Sequence, residues 1–372
     1  VTPSKSPTAP PGAPPARTTR VAGRPALRLG PASWVLRVRA LLVPVLGLAL
    51  LVLLMAVNIG RGDFPISVGS VLDVLLGGGS RRDQFIVLDL RLPRSLTGAL
   101  VGAALGLSGA IVQSIARNPL ASPDVLGITW GASAGAVTVV VLGGSAGGIS
   151  GLASSLGVPL AALAGGLIAG LAVYLLSWRR GIEGHRMVLV GIAISTLAVN
   201  LTNWLLTLGD VNDAARAMVW LTGSLNGRGW EHVQPVAIAL ALLVPATLFG
   251  AHALGALRFG EDTARGLGVR VNTARALLVL FAVLLAAVAT AGAGPIGFVA
   301  LATPQIALRL SGVGQPPLIA SAVLGAALTV GADLVARTAF GAVELPVGVL
   351  TASLGAPYLM FLLVRGRRKV RA

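Results

Sequence analysis

The sequence predicts an all-α, polytopic membrane protein of about ten transmembrane helices with both termini cytoplasmic, and three observations carry that prediction. Composition is the first: 55% of the 372 residues are hydrophobic, 11% are charged and the mean hydropathy is +0.85, whereas soluble domains are about one quarter charged. The second is a series of long apolar runs, since about 20 apolar residues as a helix cross a hydrocarbon core of about 30 Å. The third is that the positive charge sits in tails and connections, as retention of Lys and Arg on the cytoplasmic side requires.

The runs lie at about residues 40–58, 96–115, 125–142, 155–177, 187–208, 235–257, 276–291, 296–310, 318–335 and 347–364. The seventh and eighth are short and joined by "AGAGPIGF", which leaves a re-entrant hairpin open for that pair. Residues 1–33, "VTPSKSPTAPPGAPPARTTRVAGRPALRLGPAS", are rich in Pro, Ala and Arg without helical period. They read as a disordered cytoplasmic tail ahead of a transmembrane domain, residues 34–372. A cleaved signal peptide is not expected, because the first apolar run starts only near Ala40 and fits a retained first span. With the N-terminus inside, the basic residues of both tails and of most connections fall in the cytoplasm. Arg61, Arg81, Arg82, Arg91, Arg94, Arg216, Arg228 and Arg337 fall outside.

The excess of 29 basic over 13 acidic residues, a formal charge of +16, therefore reports topology and not nucleic-acid binding. Cysteine is absent, which excludes disulfides, thiolate metal sites and cysteine nucleophiles. Lys5 and Lys369 are the only lysines and neither lies in a GxxxxGK[ST] loop, so ATP, if it drives this chain, is bound by another. "GAGPIG" at 292–297 matches GxGxxG in form only; no strand precedes it, and it reads as a membrane turn. The three His lie outside any HExxH or acid cluster, so no metal site and no catalytic residue is assigned.

Within the spans, Asp333 and Arg337 stand at i,i+4, as a local salt bridge or as a pathway or docking element. Asn200, Thr202 and Asn203 are deep polar groups, with Asn200 and Asn203 on one face; they either bond between helices or line a passage for a polar solute. Such a neutral lining suits release of a bulky solute more than tight binding of a small ion. Gly98, Gly102 and Gly106, and again Gly127, Gly131 and Gly135, offer flat faces for close helix approach, with packing inside the chain favoured over a dimer seam. Between them "RNPLASPDVLG" is expected as a short, ordered cytoplasmic loop with Ser122 as N-cap, Pro123 at the first helical position and Asp124 in the first turn. "SRRDQFIVLDLRLPR" places Arg81, Arg82, Arg91 and Arg94 on the outer side. They read as arginines that snorkel to lipid phosphate, or as a docking site for an acidic extracytoplasmic partner. "FGEDTARGLGVR", Phe259 to Arg270, is expected in the cytoplasm. There Ala264, Leu267 and Val269 form an apolar knob rimmed by Glu261, Asp262 and Arg265, with Gly260, Gly266 and Gly268 allowing turns, as a socketed protein contact requires.

The stretches "LRLPRSLTGALVGAALGLSGAIVQSIARNPLASPDVLGITWGASAGA", "GEDTARGLGV", "AGPIGFVALATPQIALRL" and "ELPVGVLTASLGAPYLMFLL" resemble the FecCD-type permeases of bacterial ABC importers for iron-siderophores and vitamin B12. The resemblance runs in order from about residue 40 to the end, and "WLTGSLNGRGWEHV" is most similar to the siderophore branch, in particular its ferric-catecholate permeases. It implies an inverted repeat of helices 2–5 and 7–10, and a passage enclosed with a second permease subunit, a paralogue or a second copy. It also implies two ATPase subunits that carry ATP and Mg, and an extracytoplasmic lipoprotein that delivers the ferric siderophore. Gly260, Glu261, Ala264, Arg265, Leu267 and Gly268 correspond to the family's ATPase-coupling loop. Arg91, Arg94 and Arg337 correspond to positions that meet acidic residues of the binding protein, and Asn200 and Asn203 lie near the translocation pathway. No directly bound cofactor is implied, and the expected location is the cytoplasmic membrane. Import of vitamin B12 or haem, and ion-coupled secondary transport without an ATPase, are the alternative readings.

Overall fold

The computed structural model describes residues 26–29, 32–35, 38–62, 64–145, 152–178, 183–341 and 343–370. Of the tail expected over residues 1–33, residues 1–25, 30 and 31 lie outside the described residues. Ala26–Leu29 (β1) and Ala32–Val35 (β2) pair as a short antiparallel ribbon. Everything that follows is helical: α1 (Val38–Gly60), α2 (Val68–Leu75), α3 (Arg81–Gln84), α4 (Leu92–Ala116), α5 (Ile128–Ser145), α6 (Leu152–Ser177), α7 (Gly184–Leu208), α8 (Val211–Leu221), α9 (Trp230–Leu257), α10 (Glu261–Gly266), α11 (Val271–Ala293), α12 (Val299–Ser311), α13 (Leu318–Thr338) and α14 (Val347–Val370).

Each of the ten expected runs forms a helix, and seven of them are long and apolar enough to cross a membrane among the described residues. Three elements differ from the expectation. The outer segment 81–94 is helix and not loop: α3 continues through a π-helical stretch, Phe85–Arg91, into α4. The amphipathic helices α2 and α8 were hidden because each is shorter than a span; α2 is capped by Ser67 and α8 by Asp210. α5 starts at Ile128, after Gly127, whose φ of +78° breaks the helix. Ser122 caps only a separate turn, its Oγ accepting from the Val125 N–H.

The two halves interlock. α4 lies antiparallel to α13, with Gly102 against Gly325 and Gly106 against Ser321, at positions where a Cβ would overlap the opposing carbonyl oxygen. α6 lies antiparallel to α11, with Gly166 against Ala287 and Gly170 against Val283. α4 and α11 cross in the middle, where Ser108 Oγ donates to the Ala282 carbonyl at 2.7 Å. Each half thus sends its first helix to pack on the third helix of the other, the pattern of an inverted repeat. The glycines serve contacts within the chain, Gly131 and Gly135 closing on Gly165 and Ala161 of α6. Without a hydrophobic drive between helices in lipid, such backbone proximity supplies the dispersion that holds them.

Connections between helices do not all stay at the surface. Gly184, at the start of α7, touches Ala116; Gly191 touches Leu126; and Gly127 lies against Ser195. Residues 117–127 therefore climb along eleven residues of α7, about 16 Å at 1.5 Å per residue, which is about half the hydrocarbon thickness. The expected surface loop is a re-entrant segment. The α11–α12 pair resolves in a related way. α11 has 23 residues and is long enough to cross, whereas α12 has 13. α12 begins beside Gly109, about 10 Å above the end of α4 by the same rise.

Gly102→Val or Gly106→Val should push α4 off α13 and lower the thermal stability of the detergent-solubilised chain by about 1–3 kcal/mol or more, as overpacking does. Gly255→Ala in α9, where a Cβ meets nothing within 4 Å, should leave the melting temperature unchanged or raise it.

Candidate functional site

Three sites occupy three depths. At the end of the bundle where α9 gives way to α11, α10 projects as a single short helix. Gly260 (φ +106°) and Gly268 (φ +80°) turn the chain at its two ends, which only glycine adopts without strain. Ala264, expected in the exposed knob, is fully buried, and Val269 packs on the core. A helix this short needs one anchor on its own protein, and Ala264 supplies it. The exposed apolar pair is Leu267 with Phe259, at 66% and 68% exposure; Phe259 was not singled out in the sequence, although it flanks the same glycine.

Around this pair the charges are ordered. Arg265 bonds Glu261 and Asp262 at 3.1 and 3.0 Å, and Arg275 of α11 bonds Glu261 at 2.7 Å. The Arg275 hydrogen bond, helped by the charges of Arg275, Arg265 and Arg117, holds the Glu261 carboxyl below the usual carboxylate range. Glu261 therefore stays ionised at neutral pH and ties the helix to α11.

At the opposite end lies an ion-pair network that the sequence scattered over 287 positions, from Asn58 to Glu344. Arg94 bonds Asp333 at 2.9 Å and Glu344 at 3.2 Å. Asn58 donates to Ser95 and Asp333, both at 3.2 Å. Arg337 turns to Asn58, donating to its Oδ1 at 2.6 Å and to its backbone carbonyl. The Asp333–Arg337 salt bridge expected from i,i+4 spacing gives way to Asp333–Arg94, because α4 brings the Arg94 fork against the carboxylate. Arg91 is also inside, donating to the carbonyls of Ile59 at 2.8 Å and Phe64 at 2.7 Å. Neither Arg91 nor Arg94 reaches outward as a snorkelling side chain, and both are buried. Arg61, Arg81, Arg82 and Arg216 are the exposed arginines at this end.

Between the two ends is a cavity of about 740 Å³. Its wall is made by the starts of α5, α12 and α14 and by one face of α7, and it includes Asp124, Thr129, Ser195, Thr196, Phe298 and Val349. The backbone ends at this depth satisfy one another: Gly348 N–H donates to Gly223 O at 3.0 Å and Ser224 N–H to Ala293 O at 3.0 Å. Asp124 accepts the Thr129 hydroxyl at 2.7 Å and faces the Phe298 backbone N–H. Asn200 and Asn203 lie outside this cavity but on its extension. Ile192, Thr196, Asn200 and Asn203 recur at i,i+4 and i,i+3 and are all exposed, a stripe that leads from the chamber toward the outer end of α7. Among the described residues Asn200 bonds no other helix; its Nδ2 donates to Thr196 O at 2.8 Å. The cavity was missed in the sequence because its residues come from five separate segments, although the polar turn before α5 and the glycine-proline break before α12 mark two of them.

The chain is similar to known proteins along most of its length. The ferric enterobactin transport system permease protein FepG of Escherichia coli is 41% identical over 308 residues, 83% of this chain and 91% of that protein. The achromobactin transport system permease protein CbrC of Dickeya dadantii is 40% identical over 323 residues, 87% of this chain and 91% of that one. Among solved structures, a metal-chelate type ABC transporter in an inward-facing conformation is similar with a TM-score of 0.76 at 29% identity, over 86% of this chain and 98% of that one. The match to the FecCD transport family covers residues 50–365, so the chain, with its interlocked helices, projecting α10 and central chamber, belongs to that family.

Proposed function

We propose that this chain is the transmembrane permease subunit of an ABC importer that carries a ferric siderophore across the cytoplasmic membrane, driven by ATP hydrolysis on a separate subunit. The carrying observation is that the chain is alike along most of its length to permeases of siderophore systems, and the exposed apolar pair Phe259 and Leu267 beside the short helix α10 supports the reading. The chain performs no covalent chemistry. Two ATPase subunits, which hold ATP and Mg, receive α10, with Leu267 and Phe259 in a groove and the Glu261–Arg265–Asp262 fringe as the polar rim. A second permease subunit, a paralogue or a copy, completes the passage along the exposed stripe of α7 that carries Asn200 and Asn203. An extracytoplasmic lipoprotein delivers the chelate.

Docking of that lipoprotein takes an altered form. Arg94 and Arg337 are consumed by Asp333, Glu344 and Asn58, and Arg91 by backbone carbonyls, so these three residues rigidify the outer end. Arg81 and Arg82, adjacent and exposed, are the pair best placed to steer an acidic partner. Arg82 stacks over the Phe64 ring, 4.5 Å from its centroid, which orients that edge.

Proteoliposomes holding the permease, its ATPase and its binding protein should accumulate radioactive iron-siderophore only with internal ATP; accumulation by the ATPase-free chain on an ion gradient alone would overturn the reading. Leu267→Asp combined with Arg265→Asp should leave the ATPase active but abolish uptake, measured as iron moved per ATP hydrolysed. Arg81→Glu with Arg82→Glu should weaken capture of the binding protein, most at low salt, with the melting temperature unchanged. Arg94→Glu should instead cost about 3–5 kcal/mol of stability by stranding the Asp333 carboxylate.

A further inference from the structure

Among the described residues, two that are not glycine hold their backbone in the left-handed region: Arg117 at φ 51° and Phe298 at φ 65°. Such conformations persist where the surroundings over-determine them and gather at moving or binding elements. These two stand at opposite ends of one mechanical path. Arg117 ends α4, and its Nη2 donates to the Leu257 carbonyl at 2.7 Å. Leu257 is the last residue of α9, three positions before the glycine that starts α10. From Arg117 the re-entrant segment rises to Asp124. There the side chain accepts the Thr129 hydroxyl at 2.7 Å and faces the Phe298 backbone N–H. The Phe298 N–H is one of the donors that the first turn of α12 leaves without a helical partner. The Phe298 ring fills the place of a side chain at Gly355 of α14. Asp124 and Phe298 both line the chamber.

We infer that Asp124 is a positioning residue for transport: by holding Phe298 it fixes one wall of the chamber, and through Arg117 the same segment joins that wall to the root of α10. The inference rests on the importer reading. A displacement of α10 by the ATPase pulls on Leu257 and Arg117. The segment 117–127 then moves as a rod packed on α7, and Asp124 delivers the motion to the start of α12, and through the Phe298 ring to α14. Asp124 touches the N-terminal ends of α5 and α12, equivalent helices of the two inverted halves, so one side chain binds the halves together at mid-depth.

The chain has no cysteine, so Ser195→Cys places a single thiol on the chamber wall. In the assembled permease–ATPase complex, the maleimide labelling rate of that thiol should change several-fold between the nucleotide-free and vanadate-trapped states. Adding Asp124→Ala should make labelling insensitive to nucleotide and cut iron moved per ATP hydrolysed several-fold, with the ATPase rate retained. Asp124→Asn, which keeps an acceptor oxygen for the Phe298 N–H, should restore both. An Asp124→Ala complex that keeps nucleotide-dependent labelling and full uptake per ATP overturns the inference. If that variant fails to assemble, Thr129→Val decides: a reduced nucleotide response supports the latch, and an unchanged response overturns it. A reference complex without ATP-driven uptake would sink the importer reading itself and this inference with it, whereas a working reference with an indifferent Asp124→Ala removes only the latch.

Discussion

Backbone that leaves the helix inside hydrocarbon has to find its own hydrogen-bond partners, because no water is there to supply them. This fold depends on meeting that constraint at its centre. Four breaks arrive at one depth: the turn before α5, the link before α12, the end of α8 and the start of α14. Three of them are tied together, Gly348 bonding Gly223 and Ser224 bonding Ala293, while the turn before α5 bonds within itself, Ile128 N–H to Pro123 O. A polar, irregular core could not survive against lipid. It survives here because the helices close around it and because what it encloses is a chamber.

The second requirement is proximity. Helices that carry such breaks must approach closely enough to shield them, and small residues at the crossings allow it: Gly102 on Gly325, Gly135 on Ala161, Gly109 on Ala300. The same exchange of helices between halves that buries α4 and α11 leaves α7 and α1 at the periphery. α1 keeps most of its surface exposed and packs one face along α13, Gly47 against Val323 and Leu54 against Gly331, whereas the exposed stripe of α7 continues from the chamber. Scaffold and passage are thus divided between the inner and outer helices of one repeat.

Much of this was legible in the sequence. Ten apolar runs give ten helices, because span length and hydropathy are local properties. Gly260 to Gly268 stood out as an exposed, charged interruption, and the glycine spacings correctly implied packing within the chain. What local pattern could not give was depth. "RNPLASPDVLG" reads as a surface loop because it is polar, and only its packing along α7 shows that it enters the bilayer. Nor could spacing assign partners: Asp333 has Arg337 at helical distance and pairs instead with Arg94, 239 residues away. Ala264 looked exposed beside Leu267 because a six-residue helix has too little periodicity to separate its inner from its outer face.

The network at the outer end also constrains how the protein is made. Arg94 is bonded to Asp333, 239 residues later in the chain, and Asn58 to Asp333 across 275 residues. At about 5–20 residues per second of synthesis, α4 waits on the order of ten seconds or more in the bilayer before its counter-ion emerges. During that interval an arginine at its outer end has only lipid headgroups and water for company, and Asn58 of α1 has Ser95 of α4 but not yet Asp333 to bond. The arrival of α13 therefore closes the assembly: one carboxylate, made 239 residues after Arg94 and 275 after Asn58, retrieves two helices inserted before it.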